Sequence, residues 1–148
     1  MMRDAAIVAT ARTAIGKAFR GAFNDTQSPV LAAHVINAVL DRSGIDPARV
    51  DDVYMGVGSQ WASQGYNFGR MAAIASRLPV HVSGMSLDRK CSSGLNAVAL
   101  AARAIRSDEV DVAIAAGAES ISMTMGPYAP KAKSESSIVL GVDPHTYM

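Results

Sequence analysis

Three stretches are apolar or small almost without interruption: residues 5–9 (Ala-Ala-Ile-Val-Ala), 53–57 (Val-Tyr-Met-Gly-Val) and 112–116 (Val-Ala-Ile-Ala-Ala). Runs of this length and lack of charge suit strands buried on both faces of a parallel sheet. Residues 83–87 (Ser-Gly-Met-Ser-Leu) form a weaker candidate. Between these runs the apolar spacing changes to that of helices. Ser28-Pro29 offers an N-cap followed by proline at the first helical position. Leu31, Val35, Val39 and Leu40 then make one stripe, and Gly44 supplies a stop. Asn67 caps a second predicted helix running to Arg77, with Met71, Ile74 and Ala75 inward and Pro79 just beyond. A third is predicted over about 91–106. Leu95, Val98, Ala102 and Ile105 share one of its faces, and its alanines allow close packing.

The order reads β-α-β-α-β-α-β, an α/β layer with a mostly parallel sheet and right-handed crossovers. The region 122–147 differs. It holds Gly126, Pro127, Pro130, Gly141 and Pro144 around a Lys131-Ala132-Lys133-Ser134-Glu135-Ser136-Ser137 stretch, and reads as loop. The sheet is therefore expected to end at 112–116 with an unpaired edge.

Composition narrows the class. The chain has 148 residues, close to one domain's worth. Hydrophobic residues make up 49% and charged residues 18%, which excludes disorder. A net charge of +1 gives no general attraction to nucleic acid or anionic lipid. One cysteine forms no internal disulfide, and with three scattered histidines it gives no zinc spacing. No stretch approaches the ~20 apolar residues of a membrane span, and the start lacks a signal-peptide pattern. These features point to a cytoplasmic protein. The Asn24-Asp25-Thr26 sequon carries little weight in that setting.

Most motifs have an ordinary reading. Gly56-Val57-Gly58 follows a predicted strand, but Trp61 stands where a dinucleotide fingerprint needs its third glycine. Ile15-Gly16-Lys17-Ala18 lacks the hydroxyl residue and earlier glycine of a P-loop. His34 and His81 read as surface or satisfied histidines, and His145 lies in the Pro/Gly-rich tail. Cys91 is different. It is predicted at a strand-to-helix junction, where the helix N-terminus carries about half a positive charge and unpaired N–H groups. Both favour thiolate over thiol and suit an oxyanion. Lys90 and Arg89 add positive charge, while Ser92, Ser93 and Gly94 keep the first turn small. Spacing alone leaves three alternatives: Cys91 as nucleophile, Cys91 as buried structural residue, and Ser92 or Ser93 as nucleophile without a local base.

The residues around Cys91 resemble a known family. Asp88-Arg89-Lys90-Cys91-Ser92-Ser93-Gly94-Leu95-Asn96-Ala97-Val98 is similar to the nucleophile segment of the thiolases. Ala11-Arg12-Thr13-Ala14-Ile15-Gly16-Lys17 resembles their N-terminal signature. Ala116-Gly117-Ala118-Glu119-Ser120-Ile121-Ser122 resembles the strand and turn after the nucleophile helix, and Met125-Gly126-Pro127-Tyr128 the entry to the substrate loop. The resemblance implies the N-terminal half of a duplicated fold. Residues 1–121 would be an incomplete half-domain, and 122–148 the start of the substrate-binding loop region. It implies Cys91 as nucleophile, with its backbone N–H an oxyanion donor. Coenzyme A thioesters would be substrates, with no permanent cofactor or metal. It also implies a complementary C-terminal polypeptide carrying the acid/base residues, and a homodimer or tetramer in which 83–87 pairs with its symmetry mate. The family's Gly-His-Pro, Cys-x-Gly and Asn-Glu-Ala segments do not occur here. Asp88 stands where thiolases more often have Asn. Two other readings share the fold: a ketosynthase-like condensing enzyme taking acyl groups from a carrier protein, and a noncatalytic assembly module.

Overall fold

The computed structural model describes residues 3–129. Elements follow in the order α1 (Ser28–Ser43), β1 (Asp52–Gly56), α2 (Phe68–Ala75), β2 (Ser83–Leu87), α3 (Ser93–Arg106), β3 (Ala113–Gly117) and a short α4 (Ile121–Thr124), with 3-10 turns at Pro47–Arg49 and Ala62–Gln64. The described strands form one parallel sheet in the order β2-β1-β3. Val53, Tyr54, Met55 and Gly56 of the central strand are all buried, as an apolar run between two helical layers requires.

One face of the sheet is covered by α1 and α2, the other by α3. Ile36, Leu40, Val53, Met55, Val57, Phe68 and Val82 build the larger core; Tyr54, Leu87, Ala97, Ala101 and Ala104 build the second. The ends of the helices follow local chemistry. Gly44 adopts a left-handed conformation (φ 66°) and donates its N–H to Leu40 O, closing α1. Asn67 Oδ1 accepts the Arg70 N–H at 3.2 Å, capping α2.

The structure corrects four sequence expectations. Residues 5–9 form no strand. Ile7 and Val8 are 76% and 69% exposed, and this segment pairs with no strand among the described residues. Arg3 anchors it through ion pairs of 2.6 Å to Asp108 and Asp111. An apolar run forms a strand only where a partner accepts its ladder bonds. Secondly, the buried stripe of α1 is Ala32, Ala33, Ile36 and Leu40, one step round from the predicted stripe; Leu31, Val35 and Val39 are half-buried on its flank. Thirdly, Ser28 is inside α1 rather than its cap, and its hydroxyl bonds Ser63 Oγ at 2.7 Å instead. Finally, α2 stops at Ala75, where Ser76 Oγ bonds back to the Ala73 carbonyl at 2.6 Å. In addition, α4 places one helical turn at the start of the region read as loop.

The weak strand 83–87 does form, for an internal reason. A Cβ on Gly69 would lie 2.2 Å from Met85 O, and one on Gly84 would lie 2.9 Å from the Gly69–Arg70 backbone. The two glycines let α2 sit directly on β2, so Gly84 serves this approach within the chain. Asn67 Nδ2 and the Gly69 N–H then bond Gly84 O and Ser86 Oγ, at 2.7 and 3.0 Å.

Asp51 ties the strand entrances together. Its Oδ2 accepts the N–H groups of Asp111 and Val112 at 2.8 and 2.9 Å, and its carbonyl accepts the Ser83 N–H. The Val112 and then the Asp111 N–H hold its carboxyl below the ordinary value of 3.8. A lowered folded pKa means that this contribution is complete above 3.8 and is lost as pH falls through the folded value. Unfolding midpoints measured against pH should therefore drop on acidification in the wild type, and less steeply in Asp51→Asn.

Candidate active site

Cys91 lies two residues ahead of α3 and four beyond β2, in the tight connection between them. The helix begins at Ser93 rather than at Cys91 because the intervening turn is reversed. Lys90 has φ of 50°, a left-handed conformation that a side chain rarely adopts. Such strain persists only when its surroundings over-determine it. Here the Lys90 N–H donates to Asp88 Oδ1 at 2.7 Å, and Nζ reaches Asp88 Oδ2 at 2.5 Å and the Gly58 carbonyl at 3.2 Å. Ser93, almost fully buried, fixes the other side. Its Oγ accepts the Arg89 N–H and donates to the Lys90 carbonyl, each at 2.7 Å. The Ser93 N–H also bonds Lys90 O, at 3.0 Å.

The elbow thus presents Cys91 outward. Its side chain is exposed among the described residues and is not part of either core. Ser93, one of the two alternative hydroxyls, is spent on the turn as both donor and acceptor. Asp88 holds the turn in the form present here: the Lys90 side chain, then its backbone N–H, keep the carboxyl below the ordinary range. His34 and His81 are exposed away from this turn; His81 Nε2 meets Ala48 O at 3.3 Å. His145 lies outside the described residues.

Gly56 is not a phosphate-loop glycine. A Cβ there would stand 2.2 Å from the Ser93 carbonyl carbon and 2.5 Å from Gly94 N. Its absence lets the first turn of α3 rest on the end of β1. The buried face of α3 is correspondingly small: Ser93, Ala97, Ala101 and Ala104. The bulkier stripe turns outward, with Leu95 76% exposed.

A polar cluster surrounds the same ends of β1 and β3. Glu119 Oε2 accepts the Gly58 N–H at 2.8 Å and Oε1 accepts from Gln64 Nε2 at 2.7 Å. Gln64 is fully buried, also donates to Ser59 O at 2.8 Å, and accepts the Ser120 N–H. Ser122 Oγ accepts the Phe19 N–H at 2.8 Å and donates to Asn24 Oδ1 at 2.7 Å. The sequon asparagine is thereby buried and engaged. The sequence placed Glu119 in a family-like segment but gave it no role and did not single out Gln64, because no local pattern links residues 55 positions apart. Among the described residues no three His, Cys, Asp or Glu stand together as metal ligands, and no helix is long and apolar enough to cross a membrane.

A parallel α/β layer with a cysteine raised on a strand-to-helix elbow defines a class of fold and site, and comparison with known proteins identifies it. Residues 5–146 match the family model "Thiolase, N-terminal domain". The chain belongs to the thiolase family. It is 42% identical over 127 residues to an acetyl-CoA acetyltransferase of Pseudomonas aeruginosa, covering 86% of this chain and 31% of that protein. It is 44% identical over 119 residues to the peroxisomal 3-ketoacyl-CoA thiolase 5 of Arabidopsis thaliana, covering 80% and 26%. The crystal structure of the Bacillus anthracis acetyl-CoA acetyltransferase superposes with a TM-score of 0.77 at 35% identity, covering 82% of this chain and 30% of that one. The chain thus spans between a quarter and a third of the length of these relatives.

Proposed function

We propose that this chain supplies the nucleophile of a thiolase that transfers acyl groups between coenzyme A thioesters. The observation that carries the proposal is the exposed Cys91 on a braced elbow just ahead of α3, in a thiolase-family chain. In thiolysis the Cys91 thiolate attacks the 3-keto carbonyl carbon of a 3-ketoacyl-CoA. The bond between that carbon and its neighbour on the thioester side breaks. The electron pair and a proton give acetyl-CoA, and the shortened acyl group remains on Sγ as a thioester. A coenzyme A thiolate then attacks that thioester and Cys91 leaves as thiolate, so the two half-reactions alternate. Condensation is the reverse. The Cys91 N–H is one donor to the oxyanion; the positive end of α3 supports it.

The proton transfers need residues that a complementary thiolase half would bring. Its general base would deprotonate Cys91, and its acid would serve the acetyl-CoA carbon. The outward stripe of α3 and the open edge of β3 are surfaces such a partner would cover. The outer edge of β2 would pair with its symmetry mate in a dimer.

The test is substrate choice in the chain assembled with its complementary half. Acetoacetyl-CoA plus coenzyme A should give two acetyl-CoA. Turnover of acyl groups only from a carrier-protein thioester would instead support a ketosynthase-like enzyme, and no turnover of either would support an assembly module.

A further inference from the structure

We propose that Glu119 is a positioning residue for the nucleophile, acting through Gly58 on the Lys90–Cys91 turn; this rests on the assignment of Cys91 above. Glu119 follows β3 by two residues and its carboxylate reaches across to the loop after β1. A carboxylate accepts only, and it meets two donors here: the Gly58 N–H at 2.8 Å and Gln64 Nε2 at 2.7 Å. Gln64 completes the clamp. It bonds Ser59 O on one side and the Ser120 N–H on the other, so the loops after β1 and β3 are held as one unit.

Gly58 is the link to the elbow. Its carbonyl accepts Lys90 Nζ at 3.2 Å. The place its Cβ would occupy is 2.8 Å from Glu119 Oε2 and 3.4 Å from Lys90 O. The Gly58 peptide is therefore wedged between the carboxylate and the strained residue that precedes Cys91. Releasing it removes one wall of a turn that already holds a non-glycine residue at φ 50°. Glu119 touches no reacting atom in this arrangement, so its effect falls on the placement of Sγ and not on substrate contact.

Two substitutions loosen the clamp in different ways. Glu119→Gln offers one oxygen to two donors and turns an NH2 toward the other. Gly58→Ala keeps the carboxylate but drives a methyl against it. In the assembled enzyme, kcat for thiolysis and the rate of Cys91 alkylation by iodoacetamide, followed across pH, should both fall in either variant. A displacement of the nucleophile by about 1 Å lowers kcat on the order of 10- to 100-fold, while KM stays near wild type. Wild-type kcat with an unchanged alkylation profile would overturn the proposal, as would a raised KM with unchanged alkylation, which would place Glu119 on the substrate. Should Glu119→Gln fail to fold, Gly58→Ala decides by the same readouts. Cys91→Ala run in parallel separates the two ideas. If it retains turnover, the nucleophile assignment fails; if it is inactive while both loop variants behave as wild type, only the role of Glu119 fails.

Discussion

Cys91→Ala is expected to abolish acyl transfer in the assembled enzyme and to leave the fold intact. The side chain is exposed, so removing its sulfur opens no cavity in the core. The bonds that brace the elbow belong to Asp88, Arg89, Lys90 and Ser93 and do not involve Sγ. Chemistry has no substitute nearby. Ser93 is buried with its hydroxyl engaged on both sides, and Ser92 lacks a base. Cys91→Ser should be severely impaired as well, since a serine hydroxyl is hardly ionised at neutral pH and needs a base placed for it. Steady-state thiolysis and circular dichroism on both variants check this. Turnover near the wild-type rate with native structure would show the nucleophile to be misassigned.

Gly56→Ala should produce the largest loss of stability at a single methyl. The added carbon would meet the Ser93 carbonyl carbon at 2.2 Å, its oxygen at 2.3 Å and Gly94 N at 2.5 Å, all backbone. Backbone in the first turn of a helix cannot yield as a side-chain tip does, so α3 must lift from β1. Overpacking of this kind costs typically 1–3 kcal/mol, occasionally more, and the upper end of about 3 kcal/mol is expected here. The elbow moves with the helix, so turnover should fall together with the unfolding midpoint. Gly94→Ala is the control. The nearest atom to its Cβ is Gly117 Cα at 3.7 Å, an ordinary contact. Alanine there should be tolerated, because glycine inside a helix is less favourable by about 1 kcal/mol. Equal losses in both variants would show that the close approach at Gly56 is not what seats α3.

These contacts explain which parts of the molecule could be read from sequence. The runs at 53–57 and 112–116 gave strands displaced by one residue; the central β1 is buried, whereas the edge strand β3 is only half-buried among the described residues. The run at 5–9 has the same composition but finds no ladder partner among the described residues, and apolarity alone says nothing of partners. On α1 the larger side chains placed the stripe one step off, since Ala32 and Ala33 are buried with Ile36 and Leu40. On α3 the apolar stripe from Leu95 to Ile105 is a real periodicity that faces outward, while the sheet receives the alanines. The place of Cys91 at a strand-to-helix junction was legible to within two residues because small residues and a helical stripe are local signals. The clamp around Gly58, Gln64 and Glu119 was not, because its members come from two loops, after β1 and after β3, that meet only once the sheet has formed. Gly56 read as an ordinary glycine near a strand end until the backbone of Ser93 and Gly94 beside it was visible.

The central claim is that acyl groups pass through Cys91 Sγ. It is tested most directly by mixing the chain, assembled with its complementary half, with acetyl-CoA, quenching in acid, and mapping the acyl group by peptide mass spectrometry. One acetyl group is expected on the peptide containing Cys91, lost on adding coenzyme A and never formed in Cys91→Ala. An acetyl group on another residue, or full turnover with Cys91 unmodified throughout, would contradict it.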